Sequence, residues 1–462
     1  MATDQLIRSI NPATEEVLAE FRPATPQQIE EGLSSAAAAY HRWRRTEFAE
    51  RAALMRQAAA TLRAQQARWA GIITAEMGKP ITEAETEVEK CAWNCEFYAD
   101  NAERFLSAEP HASNARESYV QFTPLGTVLA IMPWNFPFWQ LFRFAAPALM
   151  AGNTAVLKHA SNVPQCALAI EEVFRVSGFP AGAFQTLLIP GSAATRLIDD
   201  ARVVAVTLTG SDEVGSTVAA AAGRAIKKTV MELGGSDPFV VLDDADLDAA
   251  VAVGVRARFQ NAGQSCIAAK RFIIVDAVFE QYQERFAEAA RALRVGDPMQ
   301  RETQIGPLAR DDLRDGLEQQ VQRSIEQGAH LLAGGRRRPG RGYFFAPTVL
   351  SGVTAEMPAA CEEVFGPVAA LIRVRNAAEA VEVANATPYG LGANLWSRDL
   401  DRARRLAGEI AAGQVFINGM VTSDPRLPFG GVKRSGFGRE LSEYGIREFT
   451  NVQTVWIGPA HA

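Results

Sequence analysis

The chain has 462 residues, with 47 Lys and Arg against 53 Asp and Glu, for a formal net charge of -6. That balance argues weakly against nucleic acid or acidic lipid as a main partner, and the length corresponds to about two to four domains. Hydrophobic residues make up 48% and charged residues 22%, ordinary values for a soluble globular chain. No run of about 20 apolar residues is present to span a bilayer. The opening Met1-Ala2-Thr3-Asp4-Gln5 lacks a basic stretch followed by an apolar one, so no signal peptide is expected. The five cysteines, Cys91, Cys95, Cys166, Cys266 and Cys361, are odd in number and scattered, which implies no disulfide framework. His41, His111, His159, His330 and His461 form no ligand-spaced cluster, so no metal is expected. A reducing cytoplasm is the expected compartment.

From Ile10 to Arg22 short strands and turns are expected, with Asn11-Pro12 as a turn signal. Thr25 to Leu106 reads as mostly helical. Thr25 is an N-cap followed by Pro26 at the first helical position, and Gly78-Lys79-Pro80 interrupts the pattern. Tyr119 to Thr123 alternates like an edge strand. Val128 to Met132 is a continuous apolar run, the signature of a strand buried in a parallel sheet. It is followed by Pro133-Trp134-Asn135-Phe136-Pro137 and a helix from Trp139 to Ala151. Strand Ala155 to Leu157 then leads to helix Val163 to Val176, and strand Val203 to Leu208 to helix Asp212 to Ala222. Such alternation predicts a doubly wound, mostly parallel sheet whose ligands lie beyond the carboxyl ends of the strands. Asn135, Lys158 and Ser211 all fall just past predicted strand ends.

After Gly234-Gly235 the alternation resumes. Helices are predicted at Ala245 to Phe259, Val278 to Leu293, Arg310 to Gln327, Ala377 to Asn385 and Asp401 to Ile410. Strands are predicted at Phe272 to Val275, Ala393 to Trp396 and Gln414 to Asn418. A last strand, Val452 to Ile457, must find a sheet to join, in this chain or in a second copy.

Cys266 sits in the polar loop Gln260 to Arg271, between a helix and a strand. A thiolate held there is a soft nucleophile able to form hemithioacetals and thioesters, although a free cysteine is more often a small apolar filler. Several stretches in order raise its standing. They are Pro133-Trp134-Asn135-Phe136-Pro137, Lys158-His159-Ala160-Ser161, Thr209-Gly210-Ser211, Glu232-Leu233-Gly234-Gly235, the Cys266 loop, Glu362 to Pro367, and the loop from Pro428 to Gly438. Together they resemble the aldehyde dehydrogenase superfamily from about Asn11 to Trp456.

The resemblance implies a fold of two doubly wound α/β domains, one for the cofactor and one for catalysis, plus a small β oligomerisation flap. The boundaries expected are 1–111 and 127–232 for the cofactor domain, 233–425 for the catalytic domain, and 112–126 with 440–462 for the flap. It implies Cys266 as nucleophile, Glu232 as the base that activates water, and Asn135 as an oxyanion donor. For the cofactor it implies Trp134, Asn135, Lys158, His159, Ala160, Ser161, Gly210, Ser211, Leu233, Glu363 and Phe365. No Gly-x-Gly-x-x-Gly follows the early strands, a departure from the ordinary dinucleotide fingerprint that the superfamily shares. Many NAD(+)-preferring members carry a glutamate where Ser161 stands. A serine there removes a charge that would repel a 2′-phosphate, so NADP(+) is the expected cofactor and NAD(+) the alternative.

Within the superfamily, Phe138-Trp139-Gln140 to Arg143, Lys158-His159-Ala160-Ser161 and Gly234-Gly235-Ser236-Asp237-Pro238 resemble bacterial succinate-semialdehyde dehydrogenases. That likeness implies oxidation of succinate semialdehyde to succinate, with a broader NAD(+)-dependent aldehyde dehydrogenase as the alternative. A far carboxylate calls for a cation, and Arg143 is one candidate, its other reading being a structural ion pair. Ser423 is a second candidate contact. A homodimer or homotetramer is expected, with no nucleic acid or membrane partner. An inactive scaffold would be expected to have lost the thiol or the base, and both are present.

Overall fold

The computed structural model describes Leu6 to Gly458; Met1 to Gln5, and the last four positions of the expected 440–462 flap, lie outside the described residues. Two parallel-rich sheets dominate. In the first, strands run in the spatial order Phe184–Thr186, Thr154–His159, Thr127–Met132, Val203–Thr209, Lys228–Glu232, Gly436–Phe437. All neighbours are parallel except the last pair, where Gly436 lies opposite Glu232. The chain reverses direction of winding between Thr127–Met132 and Val203–Thr209, and a crevice opens at such a switch point. The loop bearing Asn135 leaves one of these strands and Gly210-Ser211 leaves the other.

The second sheet orders its strands His330–Ala333, Thr348–Ser351, Val368–Val374, Ala269–Val275, Asp237–Val241, Gly392–Trp396, Gln414–Ile417. Only the His330–Ala333 edge is antiparallel. Thr127–Met132, Ala269–Val275 and Asp237–Val241 are buried along their whole length. Strands covered on both faces read as continuous apolar runs, which is why the first of them was visible in the sequence. Glu232 ends a strand of the first sheet and Asp237 begins one of the second, so Leu233 to Ser236 is the crossing between them.

Each sheet has its own core. One gathers the long helices Phe48–Ala64, Gln66–Met77 and Ile81–Phe105 with helix Trp139–Met150, and the other closes around Phe239, Phe272, Tyr282 and Phe286. A third, three-stranded sheet pairs Glu117–Pro124 with both Thr450–Ile457 and Glu109–Pro110. Thr450–Ile457 is the longer of its two edge strands and exposes Val452 and Trp456. The expected flap segment 440–462 is thus divided. Helix Ser442–Glu448 packs on helices Ile81–Phe105 and Trp139–Met150 of the first core, and only the following strand joins the small sheet.

Most helix ends were legible to within a few residues, because the capping chemistry is local. Thr25 forms a reciprocal capping box with Gln28, and Ser211 and Asp246 each accept from a backbone N–H of their first turn. The helix expected to run from Asp401 to Ile410 stops instead at Ala407, after starting at Leu400 behind its N-cap Asp399. Gly408 is its C-terminal cap.

Candidate active site

The Cys266 loop is held in an unfavourable shape by contacts from both domains. Asn261, Ala262 and Gly263 are consecutive left-handed residues, at φ 55°, 52° and 73°. The first two have side chains and are strained there. The Asn261 N–H donates to Glu83 at 2.8 Å, and its side-chain amide donates to the carbonyls of Asn135 (2.8 Å) and Gln264 (3.0 Å). Arg258 donates to the carbonyls of Gly263 and Gly366, and the Gln264 side chain accepts from Ala309 N–H at 2.9 Å. Glu83, from the long helix of the first domain, is pushed up to about 7 by burial. These bonds over-determine the loop, so the strain is retained where Cys266 needs a fixed position.

Asn135 is buried, and its amide nitrogen donates to Gln264 O at 3.1 Å. An amide nitrogen carries two N–H groups, so a second donor remains beside the cysteine loop. The loop bearing Asn135 is braced from behind. Glu87 accepts from the N–H groups of Phe138 and Trp139, both at 2.9 Å, and pairs with buried Lys79. His159 completes the brace. Its Nδ1 accepts from Ala160 N–H, so its Nε2 carries the proton and donates to Pro137 O at 2.9 Å. Burial pulls the His159 ring down to about 4, so it stays neutral. The His159 ring is therefore committed to the Asn135 loop, leaving only its backbone for a cofactor.

Glu232 reaches the same place from the end of another strand of the first sheet, Lys228–Glu232. Its carboxyl oxygens are buried and accept no hydrogen bond from the described residues. Burial pushes the group up to about 8, Arg143 opposes the rise and Glu440 adds to it. Gly430 makes room for it, since a Cβ there would lie 2.8 Å from Glu232 Oε1. The Cys266 thiol is raised by burial to about 12, with Arg143 and Lys270 pulling down and Glu232 pushing up. Lys270 donates to Ser265 O (3.0 Å) and Cys266 O (2.8 Å), fixing the peptide after the sulfur. Gly235 lets that peptide approach, because a Cβ there would stand 2.7 Å from Cys266 O.

The remaining residues expected for the cofactor make the following contacts. Glu363 accepts from Gly235 N–H at 2.9 Å and lies 3.7 Å from Lys270, with Gly234 against its carboxylate. Phe365 and Trp134 meet edge to face at 5.7 Å, joining the two domains. Leu233 donates its N–H to Ser435 O and packs on Gly215. Gly210 N–H donates to Glu232 O, and the Ser211 hydroxyl caps helix Asp212–Arg224. Lys158 is the penultimate residue of strand Thr154–His159. Burial lowers its ammonium, and it makes no ion pair among the described residues. Ser161 is exposed two residues beyond that strand end. An unpaired, largely buried lysine beside an exposed hydroxyl, at a strand end next to the switch point, is a donor set that fits a nucleotide ribose and phosphate.

Cys266 opens into a cavity of ≈ 640 Å³ whose wall also includes Arg143, Trp139, Lys90, Ser423 and Phe429. Arg143, read from the sequence as either a substrate contact or a structural ion pair, is paired in the structure. It is 2% exposed, pairs with Glu440, and lies over the Phe429 ring at 4.4 Å. Glu440 and Lys90 were missed by sequence reasoning. Each lies far along the chain from the partner that gives it meaning, so nothing in its neighbours marked it. Among the described residues no group of His, Cys, Asp and Glu is placed to hold a metal ion, and no helix is long and apolar enough to cross a membrane.

A Synechocystis sp. protein named "Probable succinate-semialdehyde dehydrogenase" of the NADP(+) type is 52% identical over 451 residues, spanning 98% of this chain and 99% of its own. Succinate-semialdehyde dehydrogenase 1 (NADP(+)) of Mycobacterium tuberculosis is 50% identical over 454 residues, with the same coverage. The crystal structure of a Streptococcus pyogenes succinic semialdehyde dehydrogenase in complex with NADP(+) superimposes with a TM-score of 0.96 at 39% identity, covering 98% of this chain and 100% of that one. The Aldehyde dehydrogenase family model matches residues 1–455, and the chain belongs to that family.

Proposed function

We propose that this protein oxidises succinate semialdehyde to succinate with NADP(+), through a thioester on Cys266. One juxtaposition supports the chemistry: a sulfur, a side-chain amide and an unpartnered buried carboxylate, distant in sequence, are drawn together by one strained loop and two strand ends. The names of the relatives support the substrate and cofactor.

In this reading Lys158, Ser161, Gly210, Glu363 and Phe365 hold the nucleotide. When bound, NADP(+) supplies the hydride acceptor that turns the sulfur adduct into a thioester. The chain's own residues do the rest. Cys266 gives its proton to solvent water, and the thiolate, stabilised by the positive charge of Arg143 and Lys270, attacks the aldehyde carbon. The free N–H of Asn135 stabilises the oxyanion that forms. Glu232 in its carboxylate form takes a proton from water, which then attacks the thioester carbonyl and releases the acid. Ser423 and the charge of Arg143 face the far end of the substrate.

A second copy of the chain is the partner proposed for the edge strand Thr450–Ile457, whose apolar side chains are otherwise exposed. The activity is tested by following NADPH formation with succinate semialdehyde and with butanal, its neutral counterpart. The reading expects kcat/KM to favour the semialdehyde strongly. Equal values for the two would remove the carboxylate from the substrate, and formation of NADH but not NADPH would remove the assigned cofactor.

A further inference from the structure

Ser423 is the centre of an unfinished hydrogen-bond arrangement. Lys90 Nζ and Trp139 Nε1 both donate to its hydroxyl oxygen, each at 2.9 Å. A serine hydroxyl has two acceptor positions and one proton, so both acceptor positions are filled and the O–H must point elsewhere. No acceptor for it exists among the described residues. Lys90 is in a similar position. Its ammonium lies 4.2 Å over the Trp139 ring and uses one of three N–H groups on Ser423. The acids around it are engaged by others: Asp424 by Arg426, and Glu87 by Lys79 and two backbone N–H groups. Arg143 adds a like charge from the neighbouring helix. Two cations on one wall, and a hydroxyl forced to donate, are all satisfied by an acceptor-only group with two oxygens and a negative charge.

We propose that Lys90 is the specificity residue for the substrate's far carboxylate, which it clamps together with the Ser423 hydroxyl. This rests on the semialdehyde reading above and deepens it. Arg143, already paired with Glu440, contributes field rather than the direct contact. Lys90 sits among Arg143 of one helix, Asp424 of the loop after Ser423, and Glu87 and Cys91 of its own helix. Burial and Arg143 bring its ammonium down to about 8, against the pull of Cys91, Asp424 and Glu87. The clamp is therefore complete below that pH and lost above it.

The quantity to read is the ratio of kcat/KM for succinate semialdehyde to that for butanal, since both substrates share Cys266, Asn135 and Glu232. Lys90→Met should lower this ratio by about 10- to 100-fold, the usual worth of a hydrogen bond to a charged group, mostly through KM for the semialdehyde. Lys90→Arg keeps the cation and should recover most of the ratio. In the unmodified protein the ratio should hold steady up to about pH 8 and fall above it, because kcat/KM reports the free enzyme's groups. A Lys90→Met ratio within about twofold of the parent would overturn the proposal. So would a parental ratio that stays flat through pH 10, a measurement that needs no variant. A parental ratio near one would instead overturn the semialdehyde reading itself, so the two failures are distinguishable.

Discussion

Replacing Glu232 by Gln keeps the shape of the side chain and removes only the base. The carboxyl is buried, accepts no hydrogen bond, and is raised to about 8, so at pH 7 about a tenth of molecules carry the carboxylate and at pH 9 about nine tenths do. The step that uses it, hydrolysis of the thioester, should therefore quicken about tenfold over that interval. The sign follows from the form required: a raised carboxyl is protonated and inactive at low pH and gains its function as pH rises. Glu232→Gln should lower steady-state turnover by about 10²- to 10⁴-fold and flatten this limb. Rapid-mixing measurement of NADPH absorbance separates the steps. The variant should give one burst of NADPH per subunit, then stall. Steady turnover near the parental rate would refute the role of Glu232. Loss of the burst as well would refute its timing, since the carboxylate would then be acting before the thioester forms.

Ser161→Glu places a carboxylate on the exposed turn after strand Thr154–His159, where it repels a 2′-phosphate and accepts from ribose hydroxyls. The NADP(+) to NAD(+) ratio of kcat/KM should fall; an unmoved ratio would take Ser161 out of cofactor choice. Asn135→Ala removes an oxyanion donor worth about 3 to 4 kcal/mol, so kcat should drop by about 10²- to 10³-fold while NADP(+) affinity, read by fluorescence titration, stays close to the parent's. Glutamates at both Val452 and Trp456 put like charges on the exposed edge strand. The particle mass from light scattering should fall to that of one chain, and an unchanged mass would place the contact elsewhere.

Much of the scaffold was legible because its signals are local. Val128 to Met132 and Ala155 to Leu157 are unbroken apolar runs, and Val203 to Leu208 is interrupted only by Thr207; burial on both faces is what makes them so. The crossing between the sheets was harder to read. Lys228–Glu232 is apolar at only part of its length, and Asp237–Val241 begins with an acid and a proline, residues that ordinarily argue against a strand. Pro238 is tolerated near the strand start, and Asp237 is buried against Gly392 N–H at 3.1 Å. The site was legible as motifs and not as contacts. Lys90 follows Glu89 on an amphipathic helix and reads as a solvated face. Its meaning depends on Ser423, which lies 333 residues away. Arg143 reads equally well as a substrate contact or a structural pair until Glu440 is seen beside it. His159 appeared as part of a cofactor motif, whereas its ring holds the Asn135 loop.

The most direct measurement uses Glu232→Gln mixed with NADP(+) and succinate semialdehyde, quenched in acid and digested for peptide mass analysis. The account predicts one succinyl group per chain, carried on the peptide containing Cys266 and absent when Cys266 is replaced by Ala. An acyl group on another cysteine, or aldehyde oxidation by Cys266→Ala at the parental rate, would contradict it.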